Sequence, residues 1–131
     1  IPFAAFFSEK LNLPMTYIRK QKKEFGKNSQ IEGIIDKNDE VLLVEDLMTD
    51  GGSKLRFFEA IEQVGAKIQG VFVVFNYGII NKNYIFKKKK IDITYLTNWK
   101  FVLEVAHNRK ILSNEEIKII QNFLSKINVK N

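Results

Sequence analysis

The 131-residue sequence contains no cysteine, one histidine and only two prolines. Without cysteine the chain can form no disulfide scaffold, no zinc finger and no thiol nucleophile. Its longest apolar runs are about seven residues, far short of the ~20 that a membrane helix requires. Neither the Walker pattern G-x-x-x-x-G-K-[ST] nor the dinucleotide pattern G-x-G-x-x-G occurs, which disfavours a nucleotide triphosphatase and a dinucleotide site.

The composition that remains is that of a folded, basic chain. Hydrophobic residues make up 45% and the formal net charge is +6, which favours one globular domain over residues 1–131. Five basic residues lie between Arg19 and Lys27, and five more between Lys82 and Lys90. Such clusters are typical of contacts with nucleic acid, a membrane surface or a phosphorylated small molecule, although a run such as Lys87–Lys90 is more often solvated surface.

Strand and helix periods alternate along the chain. The pattern predicts strands over 15–18, 30–35, 41–44, 71–75 and 91–96, and helices from Pro2, over 53–64, 83–90 and 98–107, and from a capping box at Ser113. Phe3, Phe6, Phe7 and Leu11 give the first helix an apolar face. This order is typical of an α/β fold with a mostly parallel, twisted sheet flanked by helices.

Two of the predicted strands are continuous apolar runs, Val41–Val44 and Val71–Phe75, which is the pattern of strands buried on both faces. Ligands of parallel sheets bind at the carboxyl ends of the strands. We therefore expect chemistry just after Val44, where Glu45 and Asp46 stand, and just after Phe75.

The turn Thr49-Asp50-Gly51-Gly52-Ser53 follows the first of these strands and runs into a helix. Its two glycines let backbone N–H groups converge on one point, because no Cβ blocks the approach. The threonine and serine hydroxyls add donors, and the helix N-terminus favours an anion. The turn is thus a candidate phosphate pocket, with Glu45 and Asp46 placed for a sugar diol or a metal-bound water.

The stretch from Val41 to Ser53 resembles the phosphoribosyl pyrophosphate signature of type I phosphoribosyltransferases: four apolar residues, two acids, two variable residues, Thr/Ser, any residue, Gly, Gly, Thr/Ser. Tyr17 to Lys23 is similar to the strand end and mobile loop of the orotate enzymes, which read aromatic-x-Arg-Lys-x-x-Lys. Ile1–Ala4 and Gln30–Gly33 fit them too. The resemblance covers residues 1–75 well and implies a Rossmann-like core. We expect the chain to be N-terminally truncated, that is, to be the C-terminal part of a longer protein.

The resemblance implies a role for each matching residue. Glu45 and Asp46 would hold the ribose hydroxyls; Thr49, Asp50, Gly51, Gly52 and Ser53 would cradle the 5-phosphate; Arg19, Lys20 and Lys23 would neutralise the departing pyrophosphate. Mg²⁺ would bind through the substrates rather than through a dedicated protein site. The resemblance also implies a cytoplasmic homodimer whose loop residues act across the interface, with phosphoribosyl pyrophosphate and orotate as partners and neither membrane nor nucleic acid.

Two positions depart from the family pattern and leave alternatives open. Phe25 stands where the loop commonly has His, and Asn76-Tyr77 stands where many members place an Arg that grips orotate. Asn76 and Tyr77 are therefore the base-binding candidates. The expected function is orotate phosphoribosyltransferase; a purine-base phosphoribosyltransferase stays open, as does a non-catalytic nucleic-acid-binding regulator, which Lys87–Lys90 motivates. His107 is expected at the surface and Trp99 in the core.

Overall fold

The computed structural model describes residues 1–19, 30–49, 52–79 and 89–129. The loop predicted over 21–29 and nearly all of the helix predicted over 83–90 lie outside these residues. In the described residues the elements follow in the order α1 (Pro2–Leu11), β1 (Tyr17–Ile18), β2 (Ile31–Glu32), β3 (Glu40–Met48), α2 (Gly52–Gln63), β4 (Lys67–Asn76), β5 (Asp92–Asn98), α3 (Trp99–Asn108) and α4 (Asn114–Lys126).

The strands form two sheets. A parallel sheet has the order β3-β4-β5 and is flanked by helices, which confirms the predicted α/β class. A small antiparallel sheet pairs β1 with β2, with Tyr17 opposite Glu32 and Ile18 opposite Ile31. None of the helices in the described ranges combines the length and the apolar content needed to cross a membrane.

The chain divides into two units. The first comprises Ile1–Glu45 and Gly52–Phe72, and the second comprises Asp46–Gly51 and Val73–Asn131. Strands β3 and β4 therefore contribute residues to both. A single domain over residues 1–131 stays a prediction.

In the first unit, α2 contributes Phe58, Ala60 and Ile61 to the core and is followed by a glycine that ends the helix. Phe58 and Ile61 are at most 1% exposed. The spacing of Phe57, Ala60, Ile61 and Val64 predicts a buried stripe, but Val64 lies just beyond the end of the helix and is exposed. Gly65 has a φ of +81°. The N–H of Ala66 bonds the carbonyl of Ile61 and the N–H of Gly65 that of Glu62, so the helix ends in a Schellman motif as its sequence indicates.

Strand β3 is longer and less buried than predicted. Glu45 and Asp46, which we expected just after the strand, lie within it, because the strand continues to Met48. It runs over nine residues, Glu40–Met48, and Leu42 is 49% exposed while Val41, Leu43 and Val44 are only half-buried. The prediction of burial on both faces is wrong because these side chains line a cavity of about 670 Å³ within the first unit, together with apolar residues of α1 and the β1–β2 region. Strand β4 fits the buried pattern better, with Val71 and Val73 at most 1% exposed.

Helix α1 forms where Pro2 predicts it, but its apolar face is not covered. No residue of the helix is buried, and Phe6 is 68% exposed. Within the described part of the chain, Phe7 makes a ring contact, with its centroid 4.7 Å from that of Phe72. The helix ends at Asn12, which adopts a left-handed conformation with a φ of 51°.

In the second unit, capping residues set both helices. The Asn98 side chain accepts from the N–H of Phe101 at the start of α3, and Ser113 and Glu116 form the predicted capping box of α4. The two helices enclose a core of Leu103, Leu124 and Val129, with Trp99 packed against it as expected. His107 is exposed, also as expected.

Candidate active site at the carboxyl ends of the strands

Glu45, the first acid after the apolar run of β3, is held by a lysine. One oxygen of its carboxylate, Oε1, lies 2.9 Å from Nζ of Lys54, and the two side chains are only 17% and 7% exposed. Lys54 is in the first turns of α2. The carboxylate that the sequence assigns to the ribose is therefore already charge-paired and largely shielded from water.

Asp46, the second acid, lies in a different environment. It is exposed, and its Oδ1 accepts from the N–H of Leu47 at 2.7 Å. Two residues further on, Met48 is 1% exposed. Asp46 thus presents an open carboxylate, while the strand is anchored beside it by a buried side chain.

The phosphate turn is described only in part. Thr49 is exposed, Asp50 and Gly51 lie outside the described residues, and α2 begins at Gly52. The strand before this segment and the helix after it are therefore confirmed, with β3 ending at Met48 and α2 beginning at Gly52. The convergence of the turn's amide groups on one point, and the orientation of the Ser53 hydroxyl, stay predictions.

Arg19 lies at the root of the basic loop and is fastened there. Its Nε lies 2.7 Å from Oε1 of Glu32, its N–H donates to the carbonyl of Gln30 at 2.8 Å, and the Gln30 side-chain amide donates back to the Arg19 carbonyl at 2.7 Å. Lys20, Lys23 and Phe25 lie outside the described residues. In this structure Arg19 therefore bonds the strand end at Tyr17–Ile18 to Gln30 and Glu32 on the other side of the basic segment.

The end of β4 carries the two base-binding candidates. Asn76 is 6% exposed, and its Oδ1 accepts from the N–H of Gly78 at 2.9 Å, so this oxygen closes a local turn. The N–H of Tyr77 donates to the carbonyl of Met48 at 2.9 Å. The Tyr77 ring is half-buried, in edge contact with Phe75 at 5.6 Å and with Trp99 at 5.5 Å between centroids.

Sequence reasoning missed Lys54. A signal for it existed: the first turn of α2 contains no acidic residue, although helix N-termini favour acids and disfavour cations. A lysine in that position indicates that another charge compensates it. Glu45 is that charge, nine positions earlier within the preceding strand.

The described residues offer little for a metal held by protein alone. They contain no group of three or more His, Cys, Asp or Glu side chains close enough to share an ion. Asp46 supplies exposed carboxylate oxygens, which are ligands that Mg²⁺ accepts, and this ion commonly takes its other ligands from water and substrate phosphates. The residues present thus fit Mg²⁺ bound through one carboxylate and a phosphorylated ligand.

Comparison with known proteins places these features in context. The profile of the family described as "Phosphoribosyl transferase domain" matches residues 1–109. The chain is 38% identical over 121 residues to an orotate phosphoribosyltransferase of Listeria monocytogenes, covering 92% of the chain and 58% of that protein. It is 42% identical over 126 residues to one of Dinoroseobacter shibae, covering 95% of the chain and 56% of that protein.

A solved structure is similar in fold. The orotate phosphoribosyltransferase of Aeropyrum pernix matches with a TM-score of 0.69 and 25% identity, over 81% of this chain and 59% of that one. The chain therefore spans a little over half the length of the curated relatives it matches, at 58% and 56%.

Proposed function

The chain belongs to the phosphoribosyl transferase domain family, and from that premise we propose that it carries the sugar-phosphate site of an orotate phosphoribosyltransferase. The reaction transfers 5-phosphoribosyl from phosphoribosyl pyrophosphate to orotate, giving orotidine 5-monophosphate and pyrophosphate in de novo UMP synthesis. The observation that carries the proposal is the passage from β3 to α2, where two acids and a Gly-Gly turn join a strand to a helix N-terminus. Relatives named for this activity at 38% and 42% identity support the choice of orotate.

In this proposal Glu45 and Asp46 hold the ribose. Ionised carboxylates accept hydrogen bonds from hydroxyl groups, and two adjacent acids can serve the 2- and 3-hydroxyls of one sugar. Asp46 is the more accessible of the two. We therefore assign Asp46 the dominant contribution to turnover, since its exposed carboxylate can stay in contact with the sugar while positive charge builds at the anomeric carbon.

The turn Thr49-Asp50-Gly51-Gly52-Ser53 binds the 5-phosphate in this proposal. α2 begins at Gly52, so the positive end of the helix dipole lies at the turn, and free N–H groups of the first helical turn are available to phosphate oxygens. Anchoring the phosphate remote from the bond that breaks turns binding energy into orientation of the ribose.

The basic residues Arg19, Lys20 and Lys23 stabilise the leaving group. When the anomeric C–O bond breaks, its electron pair goes to pyrophosphate, and a ring nitrogen of orotate loses its proton to solvent and forms the new bond to carbon. Cations near the departing oxygens lower the barrier of this step. Because Arg19 shares its charge with Glu32, we assign the larger share of this role to Lys20 and Lys23.

Mg²⁺ belongs to the proposal as a co-substrate ion. When bound, it supplies electrostatic stabilisation of the pyrophosphate oxygens. Asp46 is the described residue that would hold it from the protein side. A homodimer, in which the basic loop acts in the neighbouring site, and a cytoplasmic location complete the proposal.

The base is read at the end of β4. Tyr77 offers a half-buried ring and a hydroxyl, and Asn76, whose Oδ1 accepts from the N–H of Gly78, carries an amide NH₂ group. An aromatic face and amide donors suit a planar base that carries carbonyl oxygens. Orotate meets that description, and so do the oxygen-bearing purines.

Titration of the full-length protein with different bases tests the proposal. We expect pyrophosphate release from phosphoribosyl pyrophosphate with orotate and none with adenine, guanine or xanthine. Turnover of a purine alone would replace orotate with that base. RNA binding that weakens steeply with salt, without any pyrophosphate release, would instead favour the regulator.

A further inference from the structure

Lys54 is the most deeply buried charged side chain among the described residues. The residue is 5% exposed, and its Nζ lies 2.9 Å from Oε1 of Glu45. The same ammonium group lies 5.6 Å from the centroid of the Phe57 ring, one turn along α2. A carboxylate and an aromatic face therefore surround the cation.

This arrangement is poorly explained by stability. A cation near a helix N-terminus opposes the helix dipole, and removing an ammonium group from water costs several kcal/mol that its partner offsets only in part. Replacing such a pair with apolar residues is often neutral or stabilising. A gain other than folding energy accounts better for a lysine in this position.

That gain is orientation of Glu45. A lone carboxylate at a strand end can rotate among several rotamers, whereas an ion pair at 2.9 Å fixes one oxygen. The second oxygen of the same carboxylate can still accept a hydrogen bond. Exposed Asp46 has no such partner among the recorded ion pairs of the described residues, which makes the contrast specific to Glu45.

We propose that Lys54 is a positioning residue for phosphoribosyl pyrophosphate, acting through Glu45 rather than by touching the substrate. This inference rests on the proposed function. Lys54 preorganises the Glu45 carboxylate, so that less conformational freedom is lost when the sugar hydroxyls bind. It also neutralises one of two adjacent acids, which reduces repulsion of a strongly anionic substrate.

The test measures the Kd for phosphoribosyl pyrophosphate in the full-length protein. We expect Lys54→Met to raise Kd about tenfold or more, the loss typical of a hydrogen bond to a charged group, and Lys54→Arg to restore it to within about threefold. KM for phosphoribosyl pyrophosphate should rise in Lys54→Met while KM for orotate stays unchanged. A purely structural lysine would affect both substrates or neither.

A double-mutant cycle tests whether the effect passes through Glu45. We expect the Kd of Lys54→Met/Glu45→Gln to equal that of Glu45→Gln, because the lysine has nothing left to orient. A further tenfold loss in the double variant would mean that Lys54 acts on the substrate directly and would overturn the inference. If Lys54→Met does not fold, this comparison still decides, since both charges are absent from the double variant.

Arg56→Met is the matched control, because Arg56 is an exposed cation two residues along the same helix. It should leave Kd unchanged; an equal loss there would reduce the Lys54 effect to net charge and overturn the inference. If Lys54→Met binds as wild type does, the inference fails while the proposed function stands. If wild type binds no phosphoribosyl pyrophosphate, the proposed function fails, and the inference with it.

Discussion

The ends of β3 and β4 differ in how their polar groups are used. Within the last four residues of β3, Glu45 is ion-paired with Lys54 and Asp46 is open to solvent. At the end of β4, Asn76 closes its own turn and Tyr77 lies in an aromatic cluster with Phe75 and Trp99. The segment in β3 presents charged groups, whereas the end of β4 presents an apolar surface on which the Asn76 oxygen is already hydrogen-bonded.

Residue types indicate chemistry more clearly in β3 than at the end of β4. Two adjacent acids before a Gly-Gly sequence have few uses other than binding polar ligands, so residue types alone predict a ligand site in this part of β3. Asparagine and tyrosine serve structure as readily as recognition. The role of the β4 end therefore depends on contacts that the sequence does not specify.

The largest expected effect is at Asp46. Asp46→Asn should lower kcat by about 10²–10³-fold, as when other preorganised charge-stabilising groups are removed, while circular dichroism and the thermal midpoint stay unchanged. The fold should survive because Asp46 is exposed and asparagine keeps an oxygen for the N–H of Leu47. Asp92→Asn, an exposed acid on β5, is the control. Near-normal turnover of Asp46→Asn would remove its ribose-binding role.

A smaller effect, on stability, is expected at the end of β4. Asn76→Ala should lower the free energy of unfolding by about 1–3 kcal/mol, because the partly buried N–H of Gly78 loses its acceptor. Urea denaturation measures the loss. Asn122→Ala, at an exposed position of α4, should change stability by less than about 0.5 kcal/mol. A neutral Asn76→Ala would erase the contrast between the two strand ends.

The smallest effect is expected at the capping box of α4, remote in sequence from both strand ends. The backbone N–H and the hydroxyl of Ser113 each donate to the Glu116 carboxylate at 2.8 Å, which lowers the pKa of Glu116 below its ordinary value of 4.5. A carboxyl with a depressed pKa stabilises the fold above its unfolded-state pKa and loses that contribution as pH falls through its folded-state pKa.

The thermal midpoint of wild type should therefore exceed that of Glu116→Gln near neutral pH. The difference should shrink as pH falls below about 4.5. Glu115→Gln removes a charge from the same helical turn but no member of the capping box. A gap between wild type and Glu116→Gln that is constant down to acidic pH would contradict the assignment.

Local signals were sufficient for part of the fold. The strand predicted over 91–96 is Asp92–Asn98, and the helix predicted over 98–107 is Trp99–Asn108. Ser113 caps α4 as its sequence indicates. Each of these depends on a cap or a period within a few residues, so no distant contact was needed to define it.

Burial was harder to predict because it depends on distant partners. The apolar run of β3 is typical of a fully covered strand, yet its side chains line a cavity. Phe58 is the most buried aromatic of α2, whereas Phe57 is half-buried. The spacing of apolar residues within the helix does not by itself determine which of the two faces the core. The Lys54–Glu45 pair joins two elements, so the position of the lysine on α2 indicates a compensating charge but not which acid supplies it.

At the corner between α2 and β4, few residues other than glycine fit position 65. A Cβ on Gly65 would lie 2.9 Å from Cγ of Lys37, in a backbone conformation that other residues rarely adopt. Any substitution there would have to displace a neighbouring side chain and strain the main chain together. We therefore expect substitutions at position 65 to be poorly tolerated, and a redesigned variant should keep Gly65.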